Sequence, residues 1–551
     1  MRTTFFLPSR ILLLLAVLSA AISINAQMLS YNSCNDNGKR SYKYSDSFTN
    51  YDVQVKGDID VNGDDTRIES ISPGGYLKIS KKTFGNKRSL IVESDSKGNL
   101  EYEYYEGNRE APWDPDGKAW LADVLLDVVR ITGIDTDGRT KRIYEKSGIG
   151  GFMDELDEIS SNSVLGMYFD ALLEQFTLNE NETEKVIEGI SRRIDSNSER
   201  GRLLRRHSNL FMKSNTLMMT YFEGISRLSS NTEMGSVLRK ISDEIDFKDP
   251  HVTEAYFNCV DNMSSNTERG SVLRNVESTQ QLSEEAYVRM LRSIEKLSSN
   301  TEMGMVLRSL KKLNLNNDQI SNALFSAINK MSSNTEAGIT LRFILNNYEL
   351  NRYNWIHFLG CVQNLSSNTE MGLILRSIDE IDLKEERVGQ AYFNAVNSMH
   401  SNTEAGSVLR YTYKQHDLNN GAWIELFNSV KKLSSNTEMG RVLRGAVSGM
   451  PFTNDLTDAF LSACNRFSSN TEHSRTLIEL TKDDRLTKHT SLGILQSARQ
   501  LSSNTDKGSV LRAIANTKFI SDDEVKSAYM DTAKTLSSNT EYRNAVEKVI
   551  D

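Results

Sequence analysis

Hydrophobic positions along the chain follow two periods. From about 42 to 105 the period is two. Tyr51, Val53 and Val55 alternate with polar residues, and Ile59 with Val61, Leu77 with Ile79, Leu90 with Val92 and Leu100 with Tyr102 and Tyr104 do the same. Asn62-Gly63, Pro73-Gly74-Gly75, Gly85-Asn86 and Gly98-Asn99 separate these runs. Alternation broken by such pairs predicts hairpins of an antiparallel sheet. After Asp114-Pro115-Asp116-Gly117 the spacing becomes helical at Trp120, Leu121, Val124, Leu125, Val128 and Val129. This helix is expected to cover one face of the sheet, closing a β-rich α+β module over 42–135. The polar stretch 27–41 is expected to be flexible.

From about 150 to 551 one unit recurs. Its centre reads Ser-Ser-Asn-Thr-Glu, and its Asn returns twelve times from Asn162 to Asn539 at intervals of 34 or 35 residues. A fixed period in this range predicts a solenoid of helical pairs. In the first helix Val252, Ala255, Tyr256, Cys259, Val260 and Met263 make one apolar stripe, and in the second Met234, Val237, Leu238 and Ile241 make another. The Trp, Leu-Gly and Tyr pattern of tetratricopeptide repeats is missing, so the pairs are HEAT-like in a loose sense. The expected fold class is mainly α: a right-handed-type α-solenoid of about twelve helical hairpins behind a small antiparallel β-rich module.

The motif explains itself as stacking chemistry. The second Ser is invariant, and an acid follows three residues later in every copy but the first, which has Val164. Ser230 with Glu233 predicts a capping box, in which the hydroxyl and the carboxylate each take a backbone N–H. Gly235 and its equivalents sit inside the second helix, where Gly costs about 1 kcal/mol against Ala. A closely approaching neighbour helix would account for them. Arg239 and its equivalents close the helix and are expected to pair with carbonyl ends or with acids of the next repeat. Asn231 and its equivalents are expected to bridge turn to turn. Positions that vary between copies are then the candidates for recognition. Tyr348, Tyr353, Trp355, Tyr411 and Tyr413 are examples, with core packing the equal alternative.

Composition adds compartment and class. The chain is 38% hydrophobic and 25% charged, with six Pro. Residues 1–26 hold Arg2, Arg10, an apolar run from Ile11 to Ile22 and a small residue, Ala26, before a cut. This predicts a secretory signal peptide and a periplasmic or extracellular protein with no membrane span after cleavage. Losing Arg2 and Arg10 takes the formal net charge from -9 to -11. An acidic chain without a basic block argues against nucleic acid and anionic membrane surfaces as partners. Cys259 and Cys361 occupy one repeat register three copies apart, roughly 30 Å at about 10 Å per helix, too far for a disulfide. They read as small packing residues.

Site chemistry is sparse. Asp58, Asp60, Asn62, Gly63 and Glu69 match a calcium-loop pattern, but their flanks alternate like strands and Asn62-Gly63 is a hairpin signal. Seven His show no metal-ligand spacing, and no nucleophile elbow or phosphate loop occurs. No catalytic residue, cofactor site or firm metal site is expected, and the chain reads as no enzyme.

The segment 51–173 resembles a group of exported bacterial proteins of unassigned function. The matching residues are Val55-Lys56-Gly57-Asp58, Ile71-Ser72-Pro73-Gly74-Gly75-Tyr76-Leu77, Glu101-Tyr102-Glu103-Tyr104-Tyr105 and Trp120-Leu121-Ala122. The resemblance implies helical repeats with Ser-x-x-Glu turns beyond the module. A similar module occurs in membrane metallopeptidases of the beta-lactam-sensor type, whose H-E-x-x-H is missing here. The expected function is an exported protein-binding scaffold or sensor accessory. The alternative is a receptor whose β module takes calcium, a glycan or a small molecule.

Overall fold

The computed structural model describes residues 28–35 (backbone only), 38–46 and 48–550. The expected signal segment and Cys34 lie outside the described side chains. The chain divides into two compact units, 1–245 and 246–551. The β module therefore shares its unit with the first repeats, whereas the sequence pattern placed a boundary between 135 and 150.

In the first unit, seven strands form one antiparallel sheet in the order β1-β2-β3-β6-β7-β8-β9. They are β1 Met28–Asn35, β2 Lys39–Ser45, β3 Thr49–Lys56, β6 Tyr76–Thr83, β7 Asn86–Ser94, β8 Leu100–Glu106 and β9 Arg109–Ala111. β4 Ile59–Val61 and β5 Ile68–Ile71 make a separate hairpin. Two of these strands correct the expected flexible segment 27–41: β1 and the start of β2 lie within it. Its polar residues lack an apolar alternation, and it is backbone pairing of β2 with β3 that recruits it. The predicted alternation fixes the faces elsewhere. Val53, Val55, Leu77, Ile79, Leu90 and Val92 are buried beneath α1 Lys118–Thr132, whose Trp120, Leu121, Val124, Leu125, Val128 and Val129 complete that core.

Next comes α2 Thr136–Asp157, interrupted at Gly148, where φ is +60°. The sequence pattern missed it because its first half is polar; the buried apolar stripe Ile149, Phe152, Met153 and Leu156 starts only beyond the break. Polar contacts hold the first half. Arg139, 4% exposed, reaches Asp65 at 2.7 Å, Glu155 at 2.7 Å and the Tyr168 hydroxyl at 2.8 Å.

Helical pairs follow in tandem. In the second unit, first helices such as Asp318–Asn329 and Arg352–Gln363 pack on one another, as do second helices such as Asn334–Asn347 and Asn368–Leu375. Two layers result, with the paired stripes between them. Tyr256, Phe325, Phe358 and Tyr392 are fully buried there. No described helix is long and apolar enough to cross a membrane.

Candidate functional surface

The repeat motif makes three kinds of bond, a cap within a copy and two joints to the next. First, the invariant Ser caps the second helix: the Glu370 N–H donates to Ser367 Oγ at 3.3 Å, and Glu233 N–H does so to Ser230 Oγ. Second, the motif Asn clamps the following turn. Asn334 Oδ1 accepts from the N–H groups of Ser366 (2.8 Å) and Ser367 (3.1 Å), while its Nδ2 donates to Ser366 Oγ at 2.9 Å. Asn197 does the same to Ser229 and Ser230, and Asn300 to Ser332 and Ser333. Third, Arg pairs with the next repeat's acid: Arg205 with Glu233 at 2.6 Å, Arg342 with Glu370 at 2.9 Å, Arg444 with Glu472 at 2.8 Å.

Two expectations change. The capping box is not closed by the motif Glu. The N-cap N–H is already taken by the preceding Asn, so the carboxylate turns away to the Arg of the preceding repeat. A reciprocal box forms instead at Asn179 with Glu182. The Gly column does not make room for a helix backbone either. A Cβ on Gly338 would lie 2.4 Å from Glu370 Oε2, and one on Gly201 would lie 2.3 Å from Glu233 Oε2. Gly clears space for the carboxylate. Asn231, Gly235 and Arg239 stand in these same registers of the helix Asn231–Ile241. The first step departs at one residue, where Asp170 stands in place of Arg and Glu199 turns to Arg202, and the step from Asn470 to Asn504 changes three residues together. Ser474 replaces Gly, Ile478 replaces Arg and the shorter Asp506 replaces Glu, with Ser474 Oγ donating to Asp506 Oδ1 at 2.9 Å.

The calcium-loop residues do not converge. Asp60 Oδ2 accepts from Ser70 Oγ, Asn62 Oδ1 accepts from the Thr66 and Arg67 N–H groups at 2.8 Å, and Glu69 faces Arg67 at 3.8 Å. The eighth position, Asp65, is held by Arg139. Among the described residues, the one group able to offer three metal ligands is Asp170, Glu174 and His207. Two guanidiniums already serve it: Arg202 meets Asp170 at 2.7 Å and Arg206 pairs with Glu174, while His207 Nε2 lies 2.7 Å from Asp170. Cys259, Cys361 and Cys464 are buried free thiols; burial pushes Cys361 up to about 12, far from a thiolate. His473 is buried beside Ser497 Oγ at 2.8 Å, and burial holds its imidazole down at about 4.

The aromatic candidates mostly join repeats. The Tyr411 hydroxyl donates to Ile378 O at 3.1 Å, Tyr348 to Leu310 O and Tyr353 to Asn322 Oδ1 at 2.8 Å, and the Tyr413 ring stacks on Trp423. Tyr353 stays 36% exposed, and the repeats leave open a further set. Met305, Ile339 and Leu373 are 38%, 38% and 44% exposed. Each lies five residues after its motif Asn, so the three share one register in consecutive repeats. Other copies carry Ser236, Ser271, Ser407 or Arg441 there. Aligning the copies by register, rather than searching for aromatics, would have found them.

No protein family matches the sequence, and no curated protein matches it. Solved structures show low-level likeness. A chain in a homology model of the full-length AP-3 complex is 12% identical over 79% of this chain and 88% of its own, with a TM-score of 0.28. The pentatricopeptide repeat protein PPR10 in complex with an 18-nt psaJ RNA element is 14% identical over 79% and 66%, with a TM-score of 0.26. A circular tandem repeat protein is 10% identical over 77% and 92%, with a TM-score of 0.13. The expected exclusion of nucleic acid is withdrawn at this point; the RNA in that structure is a property of PPR10. Net charge is also an average over 551 residues and does not fix the charge of any one face.

Proposed function

We propose that the chain is an exported, non-enzymatic scaffold that binds a partner protein on the outward face of its second helices. One observation carries the reading: the exposed stripe of Met305, Ile339 and Leu373. Single exposed apolar residues are ordinary. Three at one register are not, because neighbouring second helices lie about 10 Å apart and align them over roughly 20 Å. The residues common to all copies are engaged between repeats, so specificity falls to positions such as these. The non-enzymatic part rests on the occupation of the candidate groups, with His207 and His473 bonded and the thiols buried. Export rests on residues 1–26.

Crosslinking in the native host tests the binding. A protein captured by the wild-type chain should be lost with Met305→Ser/Ile339→Ser/Leu373→Ser at an unchanged melting temperature. Equal capture by both would refute the assignment. Mass analysis of the protein from its host tests export, with Gln27 expected as the first residue.

A further inference from the structure

Two aromatic side chains belong neither to the core nor to the repeat bonds. Phe48 follows β2 and Phe84 follows β6, and they are 61% and 76% exposed, the most open large hydrophobic residues among those described. Their rings lie 5.1 Å apart, and the Phe84 N–H donates to Phe48 O at 3.2 Å. β3 and β6 are neighbours with Thr49 opposite Thr83, so both turns leave the same end of the sheet. They form one apolar knob.

The backbone shows that this exposure is not incidental. Thr83 pairs with Asn86, which leaves Phe84-Gly85 as a two-residue turn with φ of +48° and +89°. A turn with both central residues at positive φ favours Asn, Asp or Gly at its first position. A bulky residue is an outlier there. The chain thus accepts backbone strain and a hydrated aromatic ring at one residue, a combination that points to use rather than to folding.

The charges beside the knob narrow the partner. Lys82 and Lys87 face each other directly across β6 and β7, both exposed, on the side away from α1. Like charges placed opposite each other are unfavourable. Neither is in an ion pair among the described residues, whereas nearby Lys81 pairs with Asp127 and Arg88 with Glu106. Asp46, at the same end, spends a carboxylate oxygen on the N–H groups of Phe48 and Thr49.

We propose that this end of the sheet docks on an anionic lipid bilayer, with Phe48 and Phe84 entering the headgroup–acyl boundary and Lys82 and Lys87 meeting the headgroup anions. A projecting apolar tip flanked by unpaired cations suits a deformable, negatively charged interface. A second copy fits worse, because a two-fold contact through the knob would bring the lysines of both copies together. The whole-chain charge argued against such surfaces, but the arrangement at this end is local. The inference uses a different part of the chain from the scaffold surface and stands apart from it.

Cosedimentation of the full mature chain with vesicles tests it. The wild type should sediment with phosphatidylcholine–phosphatidylglycerol vesicles and much less with phosphatidylcholine alone. Phe48→Ser/Phe84→Asn should weaken this binding roughly tenfold or more while the melting temperature holds or rises, since Asn suits the turn. Lys82→Glu/Lys87→Glu should abolish the preference for anionic vesicles. No sedimentation of the wild type, or equal binding by Phe48→Ser/Phe84→Asn, would overturn the proposal. A solution dimer dissolved by that variant would also overturn it, in favour of a second copy.

Discussion

At the residue scale, Gly338 gives the sharpest test of the repeat bonds. In an exposed helix Gly→Ala stabilises, because Ala has the better helix propensity. Here the new Cβ would collide with Glu370 Oε2. Gly338→Ala should therefore destabilise the protein, by about 1–3 kcal/mol as overpacking does. Glu370→Asp withdraws the carboxylate and should recover part of that loss, as the natural step Ser474–Asp506 suggests. Urea titration of the two single variants and the double variant measures the coupling. Additive effects would refute the contact. His473 offers a second test. Its imidazole, held near 4 against an ordinary 6.5, refuses a proton that the unfolded chain accepts. Stability is then fully present above pH 6.5 and falls as pH drops toward 4, by about 3 kcal/mol in total. His473→Met, the residue found at Met303 and Met371 in that register, should flatten this part of the acid limb. The sequence showed the Gly and Arg columns but not the space they share, because register is periodic in sequence whereas the path of a Glu side chain is not.

At the element scale, each second helix starts where two other groups allow it. Ser367 caps the helix Asn368–Leu375 from within, and Asn334 holds the two N–H groups just before it from the previous repeat. Asn334→Ala should leave both donors without that acceptor and cost about 1–2 kcal/mol. Ser367→Ala should cost about 1 kcal/mol. Asn334→Asp keeps the acceptor and places negative charge at a helix N-terminus, so it should cost less than Asn334→Ala. Thermal melts of the three variants rank them, and an Asp variant as damaged as the Ala variant would contradict the clamp. The long periodic helices and strands were legible because burial repeats along them. β4, β5 and β9 were hard to delimit because three or four residues carry little periodicity. α2 was missed because its first half is polar and fastened by the buried Arg139, so its apolar stripe, Ile149, Phe152, Met153 and Leu156, begins only after the break at Gly148.

At the scale of the whole molecule, the reach of each bond decides how damage spreads. The Asn clamp, the Arg–Glu pair and the Ser cap all end within the same or the next repeat. Asn300 reaches Ser332, Asn334 reaches Ser366 and Asn402 reaches Ser434, each in the next copy. Arrays bonded in this way behave as sums of repeat and nearest-neighbour terms. A lesion at Asn334 should therefore loosen two adjoining repeats and little else. Hydrogen exchange of Asn334→Ala reads this directly. Amides of 366–367 and of the helices Asn334–Asn347 and Asn368–Leu375 should exchange faster, while those of β3, β6 and β7, buried over α1, should keep the wild-type rate. Uniform acceleration across sheet and repeats would mean that the molecule opens as one cooperative body. The conserved register would then encode global stability rather than a chain of local joints.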